Sequence, residues 1–376
     1  MEKYLFFYLK TGGGHLAPAK AVAEQIQSKK KSDIEIILAD GLDKSNIFLR
    51  IIIENGYRTA VNNAAWTYEL LYAVNKLKNI AKLTASLVSF LLKNKLEEYI
   101  LQVKPEKIIL FHFFLIKPVY QILRANNLSI PVVIVVTDPF TAHPIWFINK
   151  DLKFIVFSNL LKEKCIKMGI GSEKIKVFPF VISQKFSDML TRQNTMKLKN
   201  ELGFREDSKV ILILGGGEGL PKGIKILKKI LIKGLDAEIA VVCGRNLKMF
   251  TYLQKLVTKF NIRNIKVYGY VDFVHSLISI SDVVVTKCGA STFMEVLLAG
   301  KVQVISDYIW EQEKGNMEFV CNAEMGILEK KVNRIPDILN RLLNDREYYD
   351  YITSNIRKAS LINGAGLVSE YILNEI

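Results

Sequence analysis

The chain has 376 residues, of which 50% are hydrophobic and 24% are charged. This length exceeds what one hydrophobic core usually serves, and the composition excludes a disordered polar chain. The formal net charge of +15, from 52 basic and 37 acidic side chains, favours an anionic partner, which could be nucleic acid, an acidic membrane surface or a phosphorylated ligand.

Cysteine usage and the N-terminal sequence indicate a reducing compartment. Cys165, Cys243, Cys288 and Cys321 form no CxxC pair and no metal-ligand spacing, so we expect reduced thiols. The first apolar run is short and is followed by Lys10, which is not typical of a signal peptide. No apolar run approaches the ~18–20 residues that span a bilayer. We therefore predict a cytoplasmic protein that is soluble or peripherally attached to a membrane.

Strand-like apolar runs alternate with helical patterns in the first half. The run KYLFFYL (3–9) is followed by three glycines and an alanine-rich helix through Gln25, and DIEIILAD (33–40) closes a βαβ unit. Further strand candidates are KIILFHFF, PVVIVVTD and KFIVFS. Continuous apolar strands of this kind favour a parallel sheet that is covered on both faces.

The same pattern restarts in the second half. The stretch KVILILGGGEG (209–219) is again a strand followed by glycines, and AEIAVVCG, IKVYGYV, DVVVTKCG and KVQVISD are further strand candidates. Two such units, about two hundred residues apart, predict two Rossmann-like domains in an α/β fold. The strand pattern lapses in VISQKFSDML, so we place the domains at 1–183 and 184–376 and expect the last helix to pack on the first domain.

Residues 45–100 do not follow the alternation and predict helices. One interpretation is that these helices simply pack on the first domain. The other is that the stretch NKLKNIAKLTASLVSFLLKNK (75–95), in which lysines border apolar residues, lies in a membrane interface. The segment also carries the aromatic residues Phe48, Tyr57, Trp66, Tyr68 and Tyr72.

The first glycine loop permits three interpretations. It can be a tight turn, an anion site at a helix N-terminus, or a dinucleotide site, because Gly12, Gly14 and Ala17 fit G-x-G-x-x-A and Asp40 ends the next strand. His15 favours catalysis, since a helix N-terminus disfavours the imidazolium and a neutral imidazole can act as a general base.

The second half contains a candidate diphosphate site. LGGGEG (214–219) supplies backbone N–H groups, and Arg245 and Lys287 supply positive charge. The loop with Ser291 and Thr292 adds hydroxyls, and Glu295 stands where it could hold a ribose. No D-x-D triplet occurs in the chain, so we expect no metal.

Six motifs together carry a family resemblance. They occur in the family's order as TGGGH (11–15), VTDPFTAHPIWF (136–147), LGGGEG (214–219), VVCGRN (241–246), TKCGASTFMEVLLAG (286–300) and DYIWEQEKGN (307–316). In these motifs the chain resembles the monogalactosyldiacylglycerol synthases and the processive diacylglycerol glucosyltransferases, which are MurG-like inverting glycosyltransferases. The resemblance implies a GT-B fold, with two Rossmann-like domains facing a central cleft.

The resemblance also implies residue roles. His15 matches the usual base, with Asp138 in a second catalytic cluster. The N-terminal domain would receive a lipid acceptor, and the acceptor-side residues would be Gly13, Gly14, His143 and Trp146. The C-terminal domain would bind a UDP-sugar through Gly216, Gly217, Glu218, Arg245, Tyr270, Val271, Lys287, Ala290, Ser291, Thr292, Glu295, Gln312, Glu313 and Asn316.

Two departures from the family pattern concern the loops. The expected TKPGPGT is TKCGAST here, so that Cys288 replaces a proline and Ser291 a glycine. Leu16 stands where a polar residue is common. These changes bear on loop stiffness and on acceptor contacts more than on the nucleotide site.

The predicted reaction is transfer of glucose or galactose from a UDP-sugar to a membrane lipid, with diacylglycerol or a glycolipid as acceptor. The expected partners are UDP-glucose or UDP-galactose and an anionic membrane surface on the cytoplasmic, inner face of the cell membrane, with no nucleic acid and no cofactor. The alternatives are a UDP-sugar epimerase of the same fold, an NAD-dependent oxidoreductase, and a non-catalytic lipid-binding protein.

Overall fold

The computed structural model describes residues 1–10, 13–29, 33–43, 73, 78–187 and 192–376. The chain divides into two compact units. The first comprises Met1–Ser183, Ile309–Gln312 and Asn363–Ile376, and the second comprises Gln184–Tyr308 and Glu313–Ile362. Gly12 and the aromatic residues predicted between 48 and 72 lie outside the described residues.

The first unit is built on a six-stranded parallel sheet with the strand order β2-β1-β3-β4-β5-β6. Its strands are β1 (Glu2–Tyr8), β2 (Ile34–Asp40), β3 (Lys107–Leu110), β4 (Val132–Val135), β5 (Lys153–Val156) and β6 (Ile175–Val177). Among the described residues up to 183, its longer α-helices are α1 (Gly13–Lys29), α2 (Lys78–Val103), α3 (Ile116–Ala125) and α4 (Asn159–Lys167).

The core of the first unit follows from its apolar strands. Residues 4–8 of β1 are all buried, because β1 lies inside the sheet between β2 and β3. Helix α2 covers the sheet with Val88, Leu92, Leu96 and Ile100, whose spacing of four residues places them on one helical face. Residues 78–100 of the predicted helical segment 45–100 therefore lie in helix α2.

The second unit repeats the design with the strand order β12-β11-β10-β7-β8-β9, again all parallel. Its strands are β7 (Val210–Leu214), β8 (Glu238–Val242), β9 (Ile265–Tyr268), β10 (Val283–Lys287), β11 (Val302–Asp307) and β12 (Gly326–Leu328). Its helices are α5 (Arg192–Glu201), α6 (Gly223–Lys233), α7 (Leu247–Lys259), α8 (Val274–Ile280), α9 (Thr292–Leu298), α10 (Lys314–Asn322), α11 (Ile335–Asn344) and α12 (Arg346–Lys358).

The last helix, α13 (Ala365–Asn374), belongs to the first unit. Lys107 on β3 donates from Nζ to the Ile372 carbonyl at 2.8 Å, and Lys29 at the end of α1 pairs with Glu370. The segment Ile309–Gln312 also lies in the first unit, although the sequence gives no sign of this excursion.

Each sheet has one topological switch point. The chain leaves β1 and β3, or β7 and β10, in opposite directions, so the loops after these strands open a crevice at the carboxyl edge of the sheet. In the first unit this edge carries His15 and Phe111, and in the second it carries the loop of Gly216 and the loop of Ser291. His15 and the loops of Gly216 and Ser291 thus lie at the edges where open α/β sheets commonly bind ligands.

Candidate active site

His15 is fixed in one tautomer by its neighbours. It is the third residue of α1 and is 8% exposed. Its Nδ1 lies 2.8 Å from the Phe111 carbonyl oxygen and 2.8 Å from the Thr137 hydroxyl. Because a carbonyl oxygen can only accept, Nδ1 carries the proton and Nε2 keeps its lone pair. The side chain is therefore oriented to accept a proton at Nε2.

Burial keeps this imidazole neutral. Desolvation lowers the pKa of His15 from 6.5 to about 4, and the hydrogen bond to Phe111 offsets only part of that effect. The position at the helix N-terminus alone predicts a neutral ring, but the larger cause is removal of the imidazole from water.

His112 is a second histidine of the site that the sequence argument missed. Its ring centroid lies 4.4 Å from that of His15, and its side chain is 2% exposed. Nδ1 of His112 accepts the backbone N–H of Phe114 at 3.2 Å and so caps the turn Phe113–Leu115. His112 therefore carries its proton on Nε2, and burial lowers its pKa well below 6.5. The two adjacent rings present one acceptor nitrogen and one donor nitrogen.

Asp138 is held by groups other than His15. Its Oδ2 accepts the indole N–H of Trp146 at 2.9 Å, and its Oδ1 accepts Nε2 of Gln312 at 3.4 Å. Trp146 is fully buried, so its contribution is to position Asp138 rather than to offer a contact surface. The hydroxyl of Thr141 donates to the Gln312 carbonyl at 2.8 Å and holds the same segment.

The remaining residues predicted on the acceptor side border this cluster. His143 is buried, and its Nδ1 accepts the backbone N–H of Ile145 at 3.1 Å, which caps the turn Pro144–Phe147. A Cβ placed on Gly13 or Gly14 would meet no atom within 4 Å. The start of α1 is thus open beside a histidine that is otherwise enclosed.

A groove of about 870 Å³ lies between α2 and α3 of the first unit. The ring of Phe113, in its floor, contacts the rings of His112 and Trp146 at centroid distances of 4.3 and 5.4 Å. The groove therefore adjoins the histidine pair. Its apolar lining includes Phe90, Phe113, Ile116, Ile145 and Ile148, and its basic lining consists of Lys93, Lys117 and Arg124.

In the second unit, glycines allow the loops after β7 and β8 to touch. Gly244 has a φ of +58°, and a Cβ there would lie 2.4 Å from the Gly217 carbonyl oxygen. The Arg245 backbone N–H donates to that same carbonyl at 2.7 Å. The guanidinium of Arg245 lies 4.9 Å from the ring centroid of Tyr270, which is 66% exposed. This pair offers a cation and an exposed ring face beside the glycine turn Gly216–Glu218.

An ion pair and a hydrogen bond hold the loop after β10 in place. Lys287 Nζ lies 2.9 Å from Glu313 Oε1 in a largely buried ion pair. Asn316 is 1% exposed and donates from Nδ2 to the Cys288 carbonyl at 3.0 Å. Asn316 therefore supports the loop through Nδ2, while its buried Oδ1 has no hydrogen-bond partner among the described residues. Cys288 is fully buried.

Three polar groups of this loop and helix point toward ligand binding. The Ser291 hydroxyl is buried and has no hydrogen-bond partner among the described residues. The Thr292 hydroxyl lies 4.0 Å from where a Cβ of Gly216 would be, so the two loops of the switch point meet here. Desolvation raises the pKa of Glu295 from 4.5 to about 7. These groups gain hydrogen bonds when a polar ligand enters.

Most of the predicted nucleotide-sugar residues belong to the second unit. Gly216, Gly217, Glu218, Arg245, Tyr270, Lys287, Ser291, Thr292 and Glu295 lie on loops or a helix start at one edge of the second sheet, as do Val271, Ala290 and Glu313. Gln312 instead lies in the first unit against Asp138. Among the described residues, no three His, Cys, Asp or Glu side chains come close enough to hold a metal ion.

Two family models match the chain. Residues 15–182 match monogalactosyldiacylglycerol (MGDG) synthase, and residues 194–359 match glycosyl transferases group 1. The processive diacylglycerol beta-glucosyltransferase of Bacillus subtilis is 27% identical over 376 residues, covering 100% of this chain and 95% of the relative. The chloroplastic MGDG synthase of Spinacia oleracea is 26% identical, covering 86% of this chain and 63% of the relative. The resemblance predicted from the motifs is confirmed.

Solved structures agree on the fold. MurG of Acinetobacter baumannii superposes with a TM-score of 0.60 at 17% identity, with 99% of each chain covered. Anabaena HepE in complex with UDP-glucose gives 0.58 at 14% identity, with 100% of each chain covered. The UDP-GlcNAc 2-epimerase of Neisseria meningitidis gives 0.61 at 14% identity, covering 100% of this chain and 99% of that one. The predicted GT-B fold class is confirmed.

Proposed function

We propose that this chain, a glycosyltransferase related to the MGDG synthases and the processive diacylglycerol glucosyltransferases, transfers glucose or galactose from a UDP-sugar to diacylglycerol. The observation that carries the proposal is the fixed tautomer of His15, whose Nε2 lone pair stands beside an open glycine helix start. A sugar transferase needs such a proton acceptor, since the attacking lipid hydroxyl must lose its proton as the glycosidic bond forms.

The reaction is a single displacement with inversion. The acceptor hydroxyl oxygen forms a bond to C1 of the sugar, the bond from C1 to the β-phosphate oxygen breaks, and UDP leaves with the bonding electron pair. The hydroxyl proton passes to Nε2 of His15. The Phe111 carbonyl and the Thr137 hydroxyl then stabilise the imidazolium through Nδ1. His112, whose Nε2 carries a proton, donates to the acceptor oxygen and orients its lone pair.

The second unit provides the donor site. Backbone N–H groups of the Gly216–Glu218 turn and the Arg245 guanidinium stabilise the negative charge that grows on the departing diphosphate. The Ser291 and Thr292 hydroxyls donate hydrogen bonds to the diphosphate oxygens, and the Glu295 carboxylate accepts hydrogen bonds from the ribose hydroxyls. With these groups in place we expect no metal requirement.

The groove beside the histidine pair suits an acyl chain of the acceptor. Its floor is apolar, and its basic residues Lys93, Lys117 and Arg124 suit the surface of an anionic membrane. Next to it, helix α2 exposes Leu83, Leu87, Phe90 and Leu91 at helical spacing. Such a face inserts into the headgroup region of a bilayer. We place the enzyme peripherally on the inner face of the cell membrane; among the described residues, no helix is long and apolar enough to cross one.

Asp40 weighs against the oxidoreductase alternative. A dinucleotide site needs this carboxylate for a ribose, but here it accepts the Leu42 backbone N–H at 3.0 Å and lies 3.3 Å from Lys10 Nζ. The epimerase alternative is distinguished by its acceptor, since an epimerase needs no lipid. The apolar groove of the first unit favours the transferase.

The test incubates the purified chain with UDP-glucose or UDP-galactose and diacylglycerol vesicles, and analyses the lipids by mass spectrometry. We expect a hexosyl-diacylglycerol from one donor, and its loss of roughly 10²–10⁴-fold in His15→Gln. His275→Gln, at a histidine of the second unit far along the chain from the glycine loops, is the matched control. Conversion of UDP-sugar without a lipid product, or unchanged transfer by His15→Gln, contradicts the proposal.

A further inference from the structure

Helices α6 and α7 of the second unit form a face whose charge the proposed reaction does not use. Helix α6 carries Lys225, Lys228, Lys229 and Lys233, and helix α7 carries Lys248, Lys255 and Lys259. Neither helix contains an aspartate or a glutamate. We propose that this α6–α7 face is a contact surface for an anionic lipid bilayer. The proposal is independent of the acceptor groove and of helix α2.

The lysines of this face are largely available to an external partner. Lys233 pairs with Asp337 at 2.6 Å. In the part of the chain that the structure describes, the other six form no ion pair. These lysines repel one another, and the repulsion does not stabilise the fold. Acidic lipid headgroups would neutralise the lysines and so relieve the repulsion.

Exposed apolar side chains are interspersed with these lysines. Ile232 is 79% exposed, Leu247 is 74% exposed and Phe260, directly after α7, is 65% exposed. Lys228 Nζ lies 5.1 Å from the ring centroid of Tyr252, so the exposed surfaces of the two helices adjoin. Lysines around aliphatic and aromatic groups are the composition of a surface that inserts shallowly below lipid headgroups.

This composition favours lipid over nucleic acid. A nucleic-acid surface is typically rich in arginine and in rings that stack on bases, because bidentate contacts to phosphates and bases supply its affinity. The α6–α7 helices contain no arginine, and isoleucine and leucine at such exposure gain most from hydrocarbon.

The position of the face gives binding a consequence for the donor site. Helix α6 begins at Gly223, shortly after the glycine turn, and α7 begins at Leu247, two residues after Arg245. A bilayer on this face therefore lies next to the edge of the second sheet where the nucleotide-sugar residues gather.

The test measures partition of the full chain, without any UDP-sugar, onto vesicles of phosphatidylcholine with and without 30% phosphatidylglycerol. The variant K225Q/K228Q/K229Q removes three charges from the face. The control K331Q/R357Q/K358Q removes three exposed charges from elsewhere in the same unit. We expect the face variant to lose anionic-vesicle binding roughly tenfold or more, the control to lose less than threefold, and 0.5 M salt to abolish the difference.

A second variant, I232S/L247S, tests the apolar part of the surface. We expect it to weaken binding to anionic vesicles while its charge and its thermal unfolding midpoint stay unchanged. Equal loss in the face variant and the control, or loss of RNA binding in place of vesicle binding, overturns the proposal. Transfer to a short-chain diacylglycerol in neutral detergent should be unaffected in the face variant, so failure of this inference is distinguishable from failure of the proposed reaction.

Discussion

The enclosure of His15 predicts an unusual pH dependence. Burial holds the pKa of His15 at about 4, against 6.5 in the unfolded chain. The imidazole is therefore already a neutral proton acceptor at pH 5.5, where an exposed histidine is mostly charged. We expect kcat at saturating UDP-sugar to stay nearly constant from pH 8 to about pH 5 and to fall only near pH 4.

The same depression sets a stability change with a definite sign. The unfolded state binds a proton at His15 below pH 6.5 and the folded state does not, so stability is lost as the pH falls from 6.5 toward 4. At 1.36 kcal/mol per pH unit, the contribution of His15 between pH 7.5 and pH 5 is about 2 kcal/mol. The full depression corresponds to about 3 kcal/mol, reached below pH 4.

The assay compares urea unfolding of the native chain and of His15→Asn at pH 7.5 and pH 5. Asparagine keeps a donor for the Phe111 carbonyl but cannot titrate, so we expect the native chain to lose about 2 kcal/mol more than the variant over this range. Equal losses in the two proteins, together with a kcat that falls near pH 6.5, would refute the conclusion that burial keeps the imidazole of His15 neutral.

Three further outcomes follow from the two sites. His112→Asn keeps an acceptor for the Phe114 N–H but removes the Nε2 donor and the buried ring, so we expect a lower melting temperature and a kcat about five- to tenfold lower in steady-state assays. Trp146→Phe leaves an oxygen of buried Asp138 without its indole donor, and we expect chemical denaturation to show a loss of about 1–3 kcal/mol with UDP affinity unchanged. Deprotonation of Glu295 near pH 7 should make UDP binding strengthen more between pH 6 and pH 8 in the native chain than in Glu295→Gln, in which only the terminal phosphate of UDP titrates; titration calorimetry measures the difference.

Much of the fold could be predicted because its signals are local. The runs at β1, β7 and β10 are continuous and apolar, since internal parallel strands are buried on both faces. The short edge strands β6 and β12 were missed, because each has three residues and pairs on one side only. The apolar patterns of β6 and β12 are weak, and these segments form strands because of their pairing with β5 and β11, which the sequence does not show.

The sequence indicated that the glycines and His15 follow strands of the sheet, but it did not indicate the hydrogen bonds of the candidate site. KIILFHFF predicted a strand through its whole length, whereas β3 ends at Leu110 and His112 begins a turn by capping it. A histidine two residues before the N–H that it accepts is the signal that could have found this turn. The bond from Gln312 to Asp138 joins positions 174 residues apart, and no local pattern reports such a contact.

The close approach of the loops after β7 and β8 limits how this enzyme can change its donor. Gly244 lacks a side chain because the Gly217 carbonyl occupies that space, and the Arg245 backbone N–H holds the same carbonyl. A side chain at position 244 would displace both loops, so the conformations of the two loops are coupled. We therefore expect variants with altered ligand preference to carry substitutions outside this junction, and libraries that aim at such a change should leave Gly217, Gly244 and Arg245 fixed.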